Sequence, residues 1–561
     1  MTLTSTADPA PAPTTINAFP SRPCHGWLVD PSLLVASLAL MLLFLGTPPV
    51  QRTQEARVLQ TAREMARSAD ARDWLIPRLN GKVRLEKPPL AYWLAAAAYR
   101  AGGVNETAGR APFALAGWGT LVLTALAARR AFGRAAGFYA AAALLGFLMF
   151  ARHARLAETD VLATLFVTAA ILCIARGTRG AMALSGAMIG LAVMSKGPPA
   201  LFPVLFLIAL AAAERDWRLL GRWTLSGAPL IAAAVAAPWF AYVIRAVGYE
   251  TFRHELTVSV GGGGHAASFL QYFPDLLRAT APWVALVALS LVVAGQRWKD
   301  DRSLRVALLW FASVLIPLLI AGQRQYHYLL PAMPPLAVLA ARLVASAIEQ
   351  HDKHRPLVRA ILIATLIVML LGALGLPLLG RHVRGEASTI DAIHAAGGVA
   401  GIAFVMLNHA RPARFAGAFS AVTAVAVTLL TQAWMPSLRP DHSRAIAGEI
   451  RNRVAGALGS AMATTTTVSA AAGPTFAFYG PNISLPLLFY LQDPMPQYET
   501  PEAVAAAATA AAGAGDGSTR PLVLIAQTKS GRLPPPVPVG FHLLVRLTSG
   551  DQVFEVYAQS A

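Results

Sequence analysis

The chain has 561 residues, of which 55% are apolar and only 14% charged, with a formal net charge of +18. Soluble globular domains run nearer 45–50% apolar and about 25% charged, so a soluble enzyme, a disordered protein and a fibrous protein are excluded. The positive charge does not call for nucleic acid, because the basic residues sit in short loops between apolar runs, as in a polytopic membrane protein.

Residues 1–30 are rich in Pro, Thr and Ala and lack an apolar core, which predicts a disordered tail rather than a cleaved signal peptide. A first span is expected from Leu33 to Thr47. A polar stretch runs to Pro88, and the segment Pro89–Gly102 is too short to cross a bilayer, where ~17 apolar residues is the usual minimum. It is read as a re-entrant or interfacial helix. Further apolar runs fall near 110–128, 135–152, 160–176, 181–195, 197–213, 223–247, 276–295, 303–321, 328–348, 357–380, 394–409 and 413–435. With the first, this gives about 13 transmembrane helices.

Loop charges orient them. Arg129, Arg130 and Arg134 form one basic loop; Arg176 and Arg179 the next; then Arg215, Arg218 and Arg222; Arg297, Lys299, Arg302 and Arg305; Lys353, Arg355 and Arg359; and Arg411 with Arg414. They alternate along the chain, so all of them face the cytoplasm if the N-terminus is inside and the C-terminus outside. The expected organisation is a cytoplasmic tail (1–30), a transmembrane domain (31–435) with large outer loops at 48–109 and 248–275, and an outer domain (436–561). Strand-like runs at Thr475–Tyr479, Leu522–Ala526, Phe541–Leu547 and Val553–Tyr557, with an Ala/Gly-rich linker near 503–517, predict a small α/β domain there. The fold class is thus an all-α polytopic membrane protein with a small extracytoplasmic α/β domain. Cys24 and Cys173 offer no disulfide framework.

Several outer loops break the charge rule. Loop 50–88 carries Arg52, Arg57, Arg63, Arg67, Arg72, Arg78, Lys82, Arg84 and Lys87 beside Glu55, Glu64, Asp70, Asp73 and Glu86. Arg152, Arg155, Glu158 and Asp160 fall in a second, Lys196 in a third, and Arg324, Tyr326, His327 and Tyr328 in a fourth. A salt-bridged solvated loop explains one such residue. Four mixed-charge loops at span ends point instead to an anionic ligand, which Arg and Lys bind well. Lys196 interrupts an apolar region before Gly197 and Pro198, where a charge is expensive and usually functional, although a lysine snorkelling at a helix end has the same sequence. Pro88 restricts Lys87 and gives Glu86-Lys87 a rigid setting. Gly261–Gly264 with His265 read as a hinge or a plain flexible loop, since no phosphate-loop pattern surrounds them. His254 and His265 lack a ligand-spaced partner set, so no metal is expected.

The motifs then gain a pattern: Gln54-Glu55-Ala56-Arg57, Ala62-Arg63-Glu64-Met65, Asp73-Trp74-Leu75-Ile76-Pro77-Arg78-Leu79-Asn80-Gly81 and Leu85-Glu86-Lys87-Pro88-Pro89-Leu90-Ala91-Tyr92-Trp93 in one outer loop, followed by Arg155 to Asp160, Ser195-Lys196-Gly197-Pro198 and Tyr328-Leu329-Leu330-Pro331. This resembles the bacterial GT-C glycosyltransferases that use polyprenyl-phosphate sugars, the lipid A aminoarabinose transferases and their protein O-mannosyltransferase relatives. The likeness covers about 50–350. It implies transfer of a sugar from an undecaprenyl-phosphate donor outside the bacterial cytoplasmic (inner) membrane, with the site facing the periplasm, inversion at the anomeric carbon, and no metal or other cofactor. The partners it implies are that donor and a lipid or glycan acceptor, alongside membrane lipids. By the resemblance Arg57 and Lys87 hold the donor phosphate, and Glu55, Glu86 and Asp160 line the reaction centre, with Gln54, Lys196 and Tyr328 as further site candidates. Family members usually carry Asp-Glu where this chain has Gln54-Glu55. Gln cannot act as a base, so Glu55 or Asp160 takes that role, or none is needed because the acceptor is an already ionised phosphate such as that of lipid A. Two other classes are weighed. A lipid or sugar transporter would place charges near mid-span in repeated halves, whereas here they sit at span ends and no halves repeat. A scaffold with an inactive core is the other.

Overall fold

The structure is a computed structural model. It describes residues 31–561 except 51, 262–268, 322–323, 349–352, 387, 439–441, 463–473, 492–494, 514–520, 550 and 560–561. The expected tail 1–30, Cys24, and the glycine run from Gly262 with His265 lie outside the described residues.

The described chain forms two compact units. One comprises residues up to Leu43, Phe113–Arg155 and Thr159–Thr431; the other comprises Phe44–Pro112, Leu156–Glu158 and Gln432–Ala561. This division groups the first outer loop with the C-terminal sheet, and so cuts the chain differently from 31–435 and 436–561.

In the first unit helix occupies every apolar run read from the sequence. Among the described residues eight helices are long and apolar enough to cross a membrane: Glu106–Phe132, Thr159–Arg176, Ala228–Val247, Arg302–Ile320, Tyr326–Ile348, Arg355–Val383, Thr389–Leu407 and Pro412–Trp434. Pro31–Leu42, Arg179–Ser195 and Pro198–Glu214 are apolar but shorter. Two expected spans are not single straight helices. The run at 135–152 breaks at Phe147, which is extended, into Arg134–Gly146 and Leu148–His153. The run at 276–295 is a pair, Tyr272–Thr280 and Val284–Gln296, bent by 111°. Pro282 lies between them and has no N–H to continue the helical ladder. The loop expected at 248–275 opens with a helix, Tyr249–Gly261.

Small residues let helices approach where apolar surface alone gives no selectivity, because lipid tails are as apolar as Leu. Gly186 and Gly190 form such a pair on Arg179–Ser195, facing Ala228–Val247. A Cβ at Gly186 would lie 2.1 Å from the Ala228 carbonyl oxygen, and one at Gly190 2.7 Å from Val235 Cβ. Backbone cannot rotate away as a side chain can, so Gly186→Val is expected to force the helices apart. The cost should be about 1–3 kcal/mol or more, read as a lowered thermal midpoint of the detergent-purified protein. An unchanged midpoint would contradict this packing.

In the second unit, Thr53–Arg67 packs on Leu90–Gly102, the 13-residue helix too short to span. Between them Arg78–Leu79 pairs with Lys82–Val83 through Asn80 and Gly81, both at positive φ (54° and 75°), the conformation that makes Asn-Gly a hairpin turn. The C-terminal α/β fold is as expected: a five-stranded sheet in the order Gln497–Tyr498, Thr475–Tyr479, Leu522–Lys529, Gln552–Gln559, Phe541–Ser549. Thr475–Tyr479 is parallel to both neighbours, and the last three strands are antiparallel. Ala477, Tyr479, Leu524 and Tyr557 pack its core with Val504. Val504 lies on a helix, Pro501–Gly513, where the sequence suggested a linker. Ala is the strongest helix former, and the glycines of that stretch cluster toward its end, so composition alone misleads here.

Candidate active site

The sequence candidates fall into two constellations, one in each compact unit. The first is built on Thr53–Arg67. Its apolar face of Ala56, Val58 and Leu59 is buried, and Glu55 is buried with it, 1% exposed. Such a carboxylate must be paired, and its partner is Arg110, 2% exposed. Arg110 Nε donates to Glu55 Oε1 at 2.7 Å and Nη2 to Oε2 at 3.0 Å, and the Ala157 N–H donates to Oε1 at 3.3 Å. Arg110 also donates to the carbonyls of Leu45 (2.9 Å) and Pro49 (3.2 Å). One buried ion pair thus fixes the chain entering the helix, the helix itself and the segment at 157. Gln54 is half-buried and accepts from Arg52 Nη2 at 3.4 Å, while Arg52 Nε lies 2.8 Å from Glu158 Oε1.

Arg57, two residues on, points elsewhere. Its Nε is buried and has no hydrogen-bond partner among the described residues. Burial, and then the neighbouring Arg84 guanidinium, depress its pKa from the ordinary arginine value, against the pull of Glu86 and Tyr92. Arg84 itself grips Glu86 through both Nη atoms, at 2.8 and 2.9 Å, and hydrogen-bonds Tyr92. Glu86 is therefore neutralised by Arg84, which leaves Arg57 as surplus charge beside them. Lys87 follows, half-buried at the bend before the buried Pro88 and Pro89. Two guanidiniums against one carboxylate, with the Nε of both Arg57 and Arg84 unsatisfied among the described residues, is a setting for an anion.

The second constellation gathers three candidates from distant parts of the sequence. Asp160 opens the helix Thr159–Arg176, Lys196 caps Arg179–Ser195, and Tyr328 sits in the 3-10 segment Tyr326–Ala332. Lys196 Nζ donates to Asp160 Oδ1 and lies 4.0 Å from the centre of the Tyr328 ring. Gly197 takes φ +88°, which ends the helix at Lys196 and turns the chain. His327 Nε2 is 3.9 Å from Asp160 Oδ2, and the His153 ring lies nearly parallel to that of His327, 6.0 Å away. A lysine held by a carboxylate and a π face is located, not snorkelling freely.

Arg110, Tyr92 and His153 were not singled out by sequence reasoning. Arg110 begins an apolar run, and that lone charge is the signal that could have found it. His254 is exposed on Tyr249–Gly261, and among the described residues no three His, Cys, Asp or Glu side chains gather as a metal site would.

Residues 86–242 match the family model described as dolichyl-phosphate-mannose-protein mannosyltransferase. An undecaprenyl phosphate-α-4-amino-4-deoxy-L-arabinose arabinosyl transferase of Pseudomonas fluorescens is 28% identical over 357 residues, 60% of this chain and 61% of that protein. An uncharacterised protein of Aquifex aeolicus is 29% identical over 359 residues, 60% of this chain and 69% of that one. The chain spans about three fifths of the length of the first of these curated relatives. Among solved structures, ArnT from Cupriavidus metallidurans bound to undecaprenyl phosphate superposes with a TM-score of 0.71 at 20% identity, covering 94% of this chain and 97% of that one. The chain therefore resembles, in sequence over about three fifths of its residues and in fold along nearly all its length, the GT-C membrane glycosyltransferases to which the motifs of its first outer loop pointed.

Proposed function

We propose that this protein transfers a sugar from a polyprenyl-phosphate donor to a cell-envelope acceptor at the periplasmic face of the inner membrane. The observation that carries the reading is the cationic set Arg57, Arg84 and Lys87 around Glu86, with its unsatisfied Arg57 Nε, on the loop whose motifs resemble the transferases. A polyprenyl-phosphate sugar is a phosphodiester with one negative charge. When the bond from the anomeric carbon to the phosphate oxygen breaks, its electron pair stays on that oxygen, and the departing phosphate monoester carries one charge more. Cations placed there stabilise charge that exists only as the bond breaks, which is where electrostatic catalysis is most effective. Arg57 and Lys87 take this role, and Arg84 cancels Glu86. Glu55 acts through Arg110 as a positioning residue.

Acceptor chemistry follows from the same charge count. A hydroxyl acceptor must lose a proton and needs a base. Both oxygens of Glu55 already accept from Arg110, and Asp160 accepts from Lys196. With Gln at position 54, no uncommitted carboxylate remains among the site candidates. A phosphate monoester acceptor loses one charge on forming the new bond while the leaving group gains one, so the reaction balances without a base. The acceptor is accordingly a phosphate on lipid A or a similar envelope lipid. The curated arabinosyl transferases suggest undecaprenyl-phosphate aminoarabinose as the donor to try first. The purified protein should modify lipid A with this donor, releasing undecaprenyl phosphate, and should not modify lipid A stripped of its phosphates. Transfer to the stripped lipid at an equal rate would refute the acceptor assignment, and no release of undecaprenyl phosphate with any acceptor would refute the transferase reading.

A further inference from the structure

A shallow surface cleft lies in the first unit where three helices end together: Met333–Ile348, Arg355–Arg384 and Pro412–Leu429. Its walls are apolar, with Val344, Leu362 and Phe415 among them, and its rim carries Arg355 and Arg359. These two are four residues apart on one helix, hence on one face. Arg355 makes no hydrogen bond or ion pair among the described residues, and the bond recorded for Arg359 is a long one, 3.5 Å to the His409 carbonyl. Two helices also start at this cleft, at His354 and at Arg411, each with a proline in its first turn and no side-chain cap, so the positive ends of their dipoles lie beside it. The nearby sequence from 349 to 359 and 409 to 414 holds five formal cations, Lys353, Arg355, Arg359, Arg411 and Arg414, against Glu349 and Asp352, which lie outside the described residues. The alternation of basic loops puts this end at the cytoplasmic leaflet.

We propose that the cleft binds one anionic glycerophospholipid of the cytoplasmic leaflet, with the phosphate between Arg355 and Arg359 and an acyl chain against the apolar wall. A purely electrostatic attraction of basic loops to the membrane needs no cleft. Here one guanidinium without a partner among the described residues, and a second with only a long backbone bond, are placed beside an apolar wall between helices, as headgroup pockets are built. The same helix exposes Ile367, Val368 and Leu371 further along, 54%, 65% and 65% exposed, so it faces lipid for most of its length. A soluble phosphate ion would use the rim and leave the wall unoccupied. This site is independent of the transfer reaction.

The test uses the full chain, purified in detergent and delipidated, with lipid retention read by native mass spectrometry. Phosphatidylglycerol should be retained roughly tenfold better than phosphatidylcholine, and inorganic phosphate at millimolar concentration should not displace it. Joint Arg355→Gln and Arg359→Gln substitution should reduce phosphatidylglycerol retention to the phosphatidylcholine level with an unchanged elution profile, and joint Arg→Lys substitution should retain most of it. Neutralising Arg176 and Arg179 in another inner loop should change nothing. Equal retention of the two lipids, wild-type retention in the double Gln variant, an equal loss from the Arg176 and Arg179 variant, or displacement by inorganic phosphate would each overturn the proposal.

Discussion

Lys87→Ala is expected to abolish most sugar transfer while leaving the protein folded. Lys87 is half-buried at a bend outside the helices, so its truncation opens no core cavity. What disappears is a cation beside the Arg57–Arg84–Glu86 set. Removal of one preorganised donor to a developing oxyanion typically costs roughly 10²–10³-fold in kcat, and that is the loss expected with purified donor lipid. Lys87→Arg should recover part of the rate, since charge is kept while a compact ammonium is replaced by a planar fork. Donor affinity should change less than the rate, because the extra charge on the phosphate exists only as the bond breaks. Wild-type turnover of the Ala variant, with an unchanged elution profile, would remove Lys87 from the reaction.

Arg110→Ala should have the largest effect on stability. Glu55 and Arg110 are both almost fully buried, and loss of one partner leaves an uncompensated charge inside the protein, which costs about 3–5 kcal/mol. The carbonyls of Leu45 and Pro49 lose their donor as well. A fall in thermal midpoint, or loss of folded protein at growth temperature, is the expected measurement. Glu55→Gln also strands a charge, on Arg110, but it keeps the shape and an acceptor oxygen and leaves Arg110 its carbonyl partners, so it should destabilise less than Arg110→Ala. Joint replacement by Glu55→Leu and Arg110→Met should recover stability, because a hydrophobic isostere of a buried pair is often neutral or stabilising. If Arg110→Ala is as stable as wild type, the pair is not the anchor of the loop. If the joint variant folds and still transfers sugar, Glu55 has no chemical role and acts by position.

The order of elements was legible wherever a local rule governs the chain. The apolar runs gave the helices, since twenty apolar residues have one stable conformation in lipid. The alternating runs after 475 gave their strands, whereas the hairpin at Asn80-Gly81 went unread although that dipeptide is its local signal. Pro501–Gly513 was missed because alanine and glycine share a composition signal while differing most in helix preference. The straightness of a span was not legible either. The break at Phe147 follows from no residue that forbids helix, and Pro282 marks a bend without fixing its 111°.

For the site, the residue types and the rule they broke were visible in one dimension: basic residues on loops that should carry few, and an Asp-Glu motif altered to Gln54-Glu55. The pairing was not. Glu55 looked like a free carboxylate until Arg110, fifty-five positions away, took both its oxygens, and Glu86 looked like one until Arg84 closed on it. Lys196 was ambiguous between a snorkelling end and a site until Asp160 and the Tyr328 ring were found on it. The sequence by itself determined the membrane, the helices and the chemical inventory, because hydropathy and charge are properties of single residues. Which charges cancel and which are left over was decided only by the tertiary structure, because cancellation is a property of distance, and distances between residues far apart in the chain are set by how its helices pack.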